Sequence, residues 1–297
     1  MRTEIGSKKQ MTKLPAYLKF LLLCAASLVI GWRPLLDTFS LALRDGQYTH
    51  ILLIIPVSAT LIFLEREFLA QVAEPSGFGL VLLLVAALIA VSARWKAAGL
   101  PQDVQVSVNM LALVTWWVAA FALCFGTRAF RHFLFALCFL FWLVPMPEFV
   151  LNRIVSLLQQ GSALAAHWLF TAAGVPVAQD GIVLSIPGLT VEVTKECSSI
   201  RSSLMLLVTS MVLAHLFLRS IWRKTVVMLA AIPLSVAKNG LRIFILSMLG
   251  TRVDPGFLHG NLHHHGGIVF FAAALLAQLL LLWLLSRSDS QLAGEMS

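Results

Sequence analysis

Long runs of apolar residues, separated by short polar segments, dominate the pattern of this chain. A helix that crosses a membrane needs about 20 mostly apolar residues. Eight runs meet or approach that length, and they predict an all-α polytopic membrane protein with about eight transmembrane helices. The runs are Ala16–Trp32, Thr49–Leu64, Phe78–Ser92, Val106–Gly126, His132–Val144, Ile200–Leu218, Thr225–Leu249 and His265–Leu285.

The composition excludes a soluble domain of this size. Hydrophobic residues make up 59% of the chain and charged residues only 12%, and the mean hydropathy is +0.88. The net charge is +8, but the basic residues fall between the apolar runs and do not form one basic patch. They therefore predict a lipid bilayer as the partner of the chain, and no nucleic acid.

Lysine and arginine residues near the ends of the runs predict the orientation. With the N-terminus inside, the inner segments hold more of these residues than the longer outer segments do. The basic segment Met1–Lys19 leads into a run without a cleavage signal, so it predicts a retained first span. We therefore expect one integral domain over residues 1–297, crossing the cell's inner membrane several times, with Pro145–Ser199 on the outer face.

That outer segment contains two kinds of pattern. Apolar residues at helical spacing follow Pro147 and predict an amphipathic helix that lies along the membrane interface to about Ala173. The runs Ile182–Ile186 and Leu189–Thr194 are rich in β-forming residues and are joined at Pro187-Gly188, which predicts a small β hairpin. Its last strand leads directly to Cys197 at the outer end of the sixth span.

Three boundaries on the outer side carry candidate chemistry. Cys197 comes just before a helix, where the helix dipole favours the thiolate. Arg242 lies inside the seventh span, and an arginine at that depth is a functional candidate by default. Asn239 precedes it by three residues and shares its helix face.

A histidine cluster stands before the eighth span. His259 and His263 have the spacing of two ligands on one helix face, so a metal site is an alternative reading of the cluster, which also contains His264 and His265. A nucleophilic cysteine, an acid or base and an arginine for developing negative charge are together what acyl transfer requires. For that reaction we expect no cofactor and no metal.

With these residues the chain resembles the exosortase/archaeosortase family of membrane transpeptidases, over Asp45 to Phe271. The family's cysteine block resembles Glu196 to Arg201, and its Pro-Leu-x-x-x-x-Asn-x-x-Arg block resembles Pro233 to Arg242. Its His-x-x-x-Gly block resembles His263 to Gly267. The family's early Tyr-Ser-His-Gly motif resembles Tyr48-Thr49-His50, where Ile51 replaces the glycine, and Ser199 replaces the glycine of the cysteine block.

The resemblance implies an activity, partners and site residues. Catalysis is expected from Cys197, Arg242 and His263, with support from Asn239, His50, Tyr48 and His259. The substrate is expected to be a tail-anchored protein whose C-terminal sorting signal joins a short motif, a transmembrane helix and a basic end. Cys197 is expected to cleave the substrate near that motif, to hold the product as a thioester and to pass it to an acceptor on the cell surface. Such families often work beside exopolysaccharide production.

Two other classes of function compete with this interpretation. In a transporter or glycan-handling protein, Arg242, His50 and the histidine cluster would bind an anionic substrate. This alternative predicts polar residues near the midplane of several spans, and the third to fifth spans largely lack them. In a metalloprotease, His259, His263 and His265 would bind a metal, and activity would not depend on Cys197.

Overall fold

The structure is a computed structural model that describes residues 15–72, 76–95, 99–193, 200–254, 256 and 267–295. Those residues form a mostly helical chain with one small sheet, which confirms the predicted fold class. The helices are α1 (Ala16–Arg44), α2 (Ile51–Leu64), α3 (Arg66–Val72), α4 (Gly77–Trp95), α5 (Gln102–His132), α6 (Leu134–Phe139), α7 (Glu148–Ala172), α8 (Ile200–Phe217), α9 (Ile221–Arg252) and α10 (Gly267–Glu295), with 3-10 turns at Gly46–Tyr48 and Leu140–Leu143.

The helices agree with the predicted number of membrane spans. Among the described residues, 6 helices are long and apolar enough to cross a membrane, and the number rises to 8 if each of two bent helix pairs is one span. One of these pairs joins Leu134–Leu143 to α7 through a bend of 97°. The predicted fifth span is thus only the first, short limb of a bent pair, because the chain turns at Pro145 and Pro147.

The contacts within the chain group into two compact units. Unit 1 comprises Met1–Leu41 and Ile51–Met146, and unit 2 comprises Ala42–His50 and Pro147–Ser297. In unit 1, α4 lies so close to α5 that a Cβ atom on Gly79 would be 2.2 Å from the backbone nitrogen of Leu123. The grouping into units does not test the expectation of a single membrane domain, which stays a prediction.

A three-stranded antiparallel sheet belongs to unit 2. Its strands are β1 (Ala178–Asp180), β2 (Val183–Ile186) and β3 (Leu189–Glu192), in the order β1-β2-β3. The predicted hairpin is confirmed as β2 and β3, and Gly188 supplies the positive φ of 83° that its turn needs. β1 is an addition that the sequence did not predict, since its residues Ala178, Gln179 and Asp180 are poor strand formers.

The sheet is held against α7 and α9 by a shared apolar core. Leu184 and Ile186 of β2 and Val193 after β3 are buried with residues of both helices. The Nε2 atom of Gln159 on α7 also donates a hydrogen bond of 2.6 Å to the carbonyl oxygen of Val193. The last described residue before Cys197's segment is therefore fixed to α7.

α7 runs alongside α9 in the same direction. A Cβ atom on Gly161 would lie 3.2 Å from Cγ1 of Val236, and one on Gly240 would lie 2.5 Å from Cβ of Ala165. Residue numbers rise together on the two helices, so their axes are roughly parallel. The predicted helix is confirmed, but it does not lie flat along the membrane interface as the sequence suggested, because its apolar side packs on α9, itself a candidate span.

α8, α9 and α10 form a three-helix bundle in which α9 is antiparallel to both neighbours. Gln278 of α10 donates from Nε2 to the carbonyl oxygen of Val227 at 2.6 Å, and Arg223 donates from Nη1 to that of Leu285 at 3.0 Å. Residue numbers thus fall on α10 as they rise on α9. Apolar layers fill the bundle between the helices: Leu206, Ala231 and Ala274 in one, and Ala214, Leu218, Val227 and Leu282 in the other.

The close approach of α7 and α9 predicts that Gly240→Ala destabilises the protein by about 1–3 kcal/mol, because the added methyl group has no room beside Ala165. The thermal unfolding midpoint in detergent measures this change. Gly77→Ala is the matched control, since no atom lies within 4 Å of its Cβ position. Equal midpoints for the two variants would contradict the observed packing.

Candidate active site

The predicted site residues divide into those that the structure describes and those that it does not. Cys197, His259 and His263, together with His264 and His265, lie outside the described residues. Tyr48, His50, Asn239 and Arg242 are described, and all four belong to unit 2. The structure therefore shows how the elements that precede and follow the undescribed residues pack together.

α9 carries two of the predicted residues on one face. Asn239 is buried, with 1% of its surface exposed, and Arg242 is half-buried. They are three positions apart, so both side chains project from the same side of the helix. A guanidinium that is half-buried on a candidate span remains partly accessible to a bound group, which is what a role in stabilising negative charge requires.

The early Tyr-Thr-His block lies against the beginning of α8. Tyr48 and His50 are buried, with 8% and 5% of their surfaces exposed. Nδ1 of His50 lies 3.3 Å from the carbonyl oxygen of Gln47, and because that oxygen only accepts, Nδ1 is the donor of this hydrogen bond. A Cβ atom on Gly46 would lie 3.5 Å from Cδ of Arg201 on α8. Residues about 150 positions apart in the sequence are thus brought together.

α8 and α9 are joined near the beginning of α8 by a hydrogen bond between side chains. Nζ of Lys238 donates to Oγ of Ser202, the third residue of α8. Lys238 is buried, with 7% of its surface exposed, and it lies one helical turn from Arg242. Sequence reasoning missed both residues of this contact, although a lysine inside an apolar run was a usable signal.

α10 contacts α9 at the level of Lys238. Leu241 of α9 and Phe270 of α10 line one cavity of about 190 Å³ together with Leu234, Ala237, Lys238, Ala273 and Ala274. Because the two helices are antiparallel, the first residue of α10, Gly267, lies about one helical turn beyond this cavity. The beginnings of α8 and α10 are therefore both within about one turn of Arg242.

The described residues contain no group of three or more His, Cys, Asp and Glu side chains that would hold a metal ion. The histidine cluster is not among those residues, so the acid-base and metal-binding roles of His259 and His263 both stay predictions. The described histidines of unit 2 are His50, His167 and His215, and they lie on three different segments.

Comparison with known proteins gives one match. A family model described as transmembrane exosortase matches residues 40–281, which is most of the chain. The matched range includes the Tyr48 block, the cysteine block, the Arg242 block and the histidine cluster. No curated protein sequence and no solved structure matches the chain.

The alignment of α9 with α10 predicts a specific cross-link. In a variant whose four native cysteines are serine, Leu241→Cys with Phe270→Cys is expected to react with a short bifunctional thiol reagent, because both side chains line one cavity. Mass spectrometry of the linked peptides detects the product. Leu241→Cys with Leu280→Cys is the control, since ten residues of helix separate Leu280 from Phe270 by about 15 Å. Preferential linking of the control pair would refute the alignment.

Proposed function

The chain belongs to the transmembrane exosortase family, and on that premise we propose that this multi-pass membrane protein is a cysteine-type protease and transpeptidase. It cleaves the C-terminal sorting tail of exported proteins, holds the product as a thioester on Cys197 and transfers it to an acceptor on the cell surface. The site faces away from the cytoplasm, in agreement with the distribution of lysine and arginine along the chain.

One observation supports this proposal most directly: the beginnings of α8 and α10 lie at the level of Arg242. Cys197 precedes Ile200, the first residue of α8, by three positions, and His263 precedes Gly267, the first residue of α10, by four. An extended chain spans at most about 3.6 Å per residue. Cys197 is therefore within about 11 Å of Ile200, and His263 within about 14 Å of Gly267.

Each residue then has a role that suits its chemistry. The thiolate of Cys197 attacks the carbonyl carbon of the scissile bond, and the imidazolium of His263 protonates the leaving amine. Arg242 donates to the oxyanion that forms, because its guanidinium stays protonated and offers a fixed set of donors. Asn239 supports Arg242 on the same helix face, and His259 is the alternative acid.

The tail of the substrate brings its own transmembrane helix, and unit 2 offers a surface for it. An apolar groove of about 600 Å³ lies between α7 and α9 and has an exposed tryptophan, Trp168, on its rim. Small residues line it, which permits close helix packing in a membrane. Docking there holds the scissile bond near the site, so that local concentration replaces tight binding. The lining residues are Ala165, Trp168, Leu169, Ala172, Ala237 and Leu241.

Cys197→Ala is expected to abolish processing of a coexpressed protein that carries a sorting tail, because no nucleophile remains to form the thioester. Processing is measured by the loss of the tail on a denaturing gel and by mass spectrometry of the product. Cys138→Ala is the control, since this cysteine lies on α6 in unit 1. A metalloprotease would keep its activity in Cys197→Ala and lose it to a chelator, and that pair of results would refute the proposal.

Arg242→Lys is expected to lower kcat about 10²–10³-fold, because the variant keeps a positive charge but loses the pair of directed donors. Turnover of the tail substrate by protein purified in detergent measures the effect. Arg252→Lys makes the same exchange at an exposed position at the end of the same helix and is expected to leave turnover unchanged. Full activity of Arg242→Lys would remove this arginine from the mechanism.

A further inference from the structure

The contact between Lys238 and Ser202 has no part in the reaction proposed for Cys197. Lys238 lies on a candidate membrane span and is more than nine-tenths buried. Its Nζ atom is hydrogen-bonded to Oγ of Ser202, a half-buried residue in the first turn of α8. A lysine at such a position is costly to the fold, so it is a functional candidate by default.

The surroundings of Lys238 are those of a reactive lysine rather than of a salt bridge. In the described part of the chain, no carboxylate lies within ion-pair distance of Nζ, and its hydrogen-bond partner is a hydroxyl group. The lysine also borders the cavity of about 190 Å³ between α9 and α10, whose other lining residues are all apolar. A hydroxyl group that is hydrogen-bonded to a buried lysine at the border of an apolar cavity is the arrangement of serine–lysine hydrolases.

We propose that Ser202 and Lys238 form a second acyl-transfer centre, separate from Cys197, in which Ser202 is the nucleophile and Lys238 the general base. Lys238 acts in its amine form, in which Nζ accepts the proton of the Ser202 hydroxyl across the same contact. Oγ of Ser202 forms a bond to the carbonyl carbon of an ester while its proton passes to Nζ. The bond to the leaving alcohol then breaks, and the alkoxide takes the proton from Nζ. Water hydrolyses the acyl-serine by the same proton route and restores both residues.

The chemistry of the cavity indicates the class of substrate. Its lining residues on α9 and α10, apart from Lys238, are Leu234, Ala237, Leu241, Phe270, Ala273 and Ala274, and none of them offers a polar side chain. Its volume of about 190 Å³ suits a short acyl chain and is too small for a folded segment of protein. The substrate is therefore an ester with an apolar acyl chain that enters from the membrane.

A structural role makes a different prediction from a catalytic one. If the pair only joined α8 to α9, any donor at position 238 that reaches Ser202 would serve. Arginine keeps the ability to donate a hydrogen bond to Ser202, but it stays protonated and accepts no proton. Lys238→Arg therefore separates the two roles, because it keeps a donor at position 238 and removes the base.

The test uses the full-length protein in detergent and a fluorophosphonate probe with an alkyl chain. Attack of Oγ on phosphorus displaces fluoride and leaves a covalent adduct on Ser202, which mass spectrometry of the peptides locates. Labelling of Ser202 is expected in the wild-type protein and in Cys197→Ala. It is expected to be absent in Ser202→Ala and about 10²–10⁴-fold slower in Lys238→Arg, since the general base is lost. Ser203→Ala removes the neighbouring hydroxyl and is the matched control.

Two results would overturn the proposal. One is the absence of an adduct on Ser202 in wild-type protein that elutes as a single species in size-exclusion chromatography, a measurement that needs no variant. The other is labelling of Lys238→Arg at the wild-type rate, which would leave the pair a purely structural link. Because labelling is expected to persist in Cys197→Ala, either result leaves the function proposed for Cys197 untouched.

Discussion

A polar side chain inside a membrane has to find its hydrogen-bond partner within the protein, because the lipid offers none. Unit 2 satisfies this constraint with hydrogen bonds that cross from one helix of the bundle to the next. On α9 they involve Arg223 in the first turn, Val227 in the second turn and Lys238 past the middle of the helix. The helices therefore cannot slide along one another without breaking these bonds. The bonds are Arg223 to Leu285, Gln278 to Val227 and Lys238 to Ser202.

The fixed alignment of the bundle determines which parts of a distant sequence meet. α8 begins after the cysteine block, α10 begins after the histidine cluster, and both beginnings lie at the level of Arg242. Farther along α8 and α10, the apolar layers of the bundle exclude water. The Tyr48 block packs against the first turn of α8. The acyl-transfer site that we propose at this end of the bundle thus depends on packing contacts between residues that take no part in the reaction.

Much of this architecture follows from the sequence, because apolar runs and turn residues act locally. The helices and the hairpin at Pro187-Gly188 could be predicted in that way, and so could the position of Arg242 inside a candidate membrane span. The direction of α7 could not, since it depends on Gly161 packing against Val236 and Gly240 packing against Ala165, about 75 residues apart in the sequence. Ser202 gave no signal either, because a serine in the first turn of a helix is ordinary until Lys238 is found beside it.

The central claim is that a sulfur, a guanidinium and an imidazole from three helices meet at one end of the bundle. The most direct measurement is an electron cryomicroscopy map of the full-length protein, in which the distances from the sulfur of Cys197 to the side chains of Arg242 and His263 are read. We predict that both lie within about 6 Å of the sulfur, the reach of a hydrogen bond through one water molecule. A sulfur more than about 12 Å from either side chain, beyond the reach of one bound peptide group, would contradict the account.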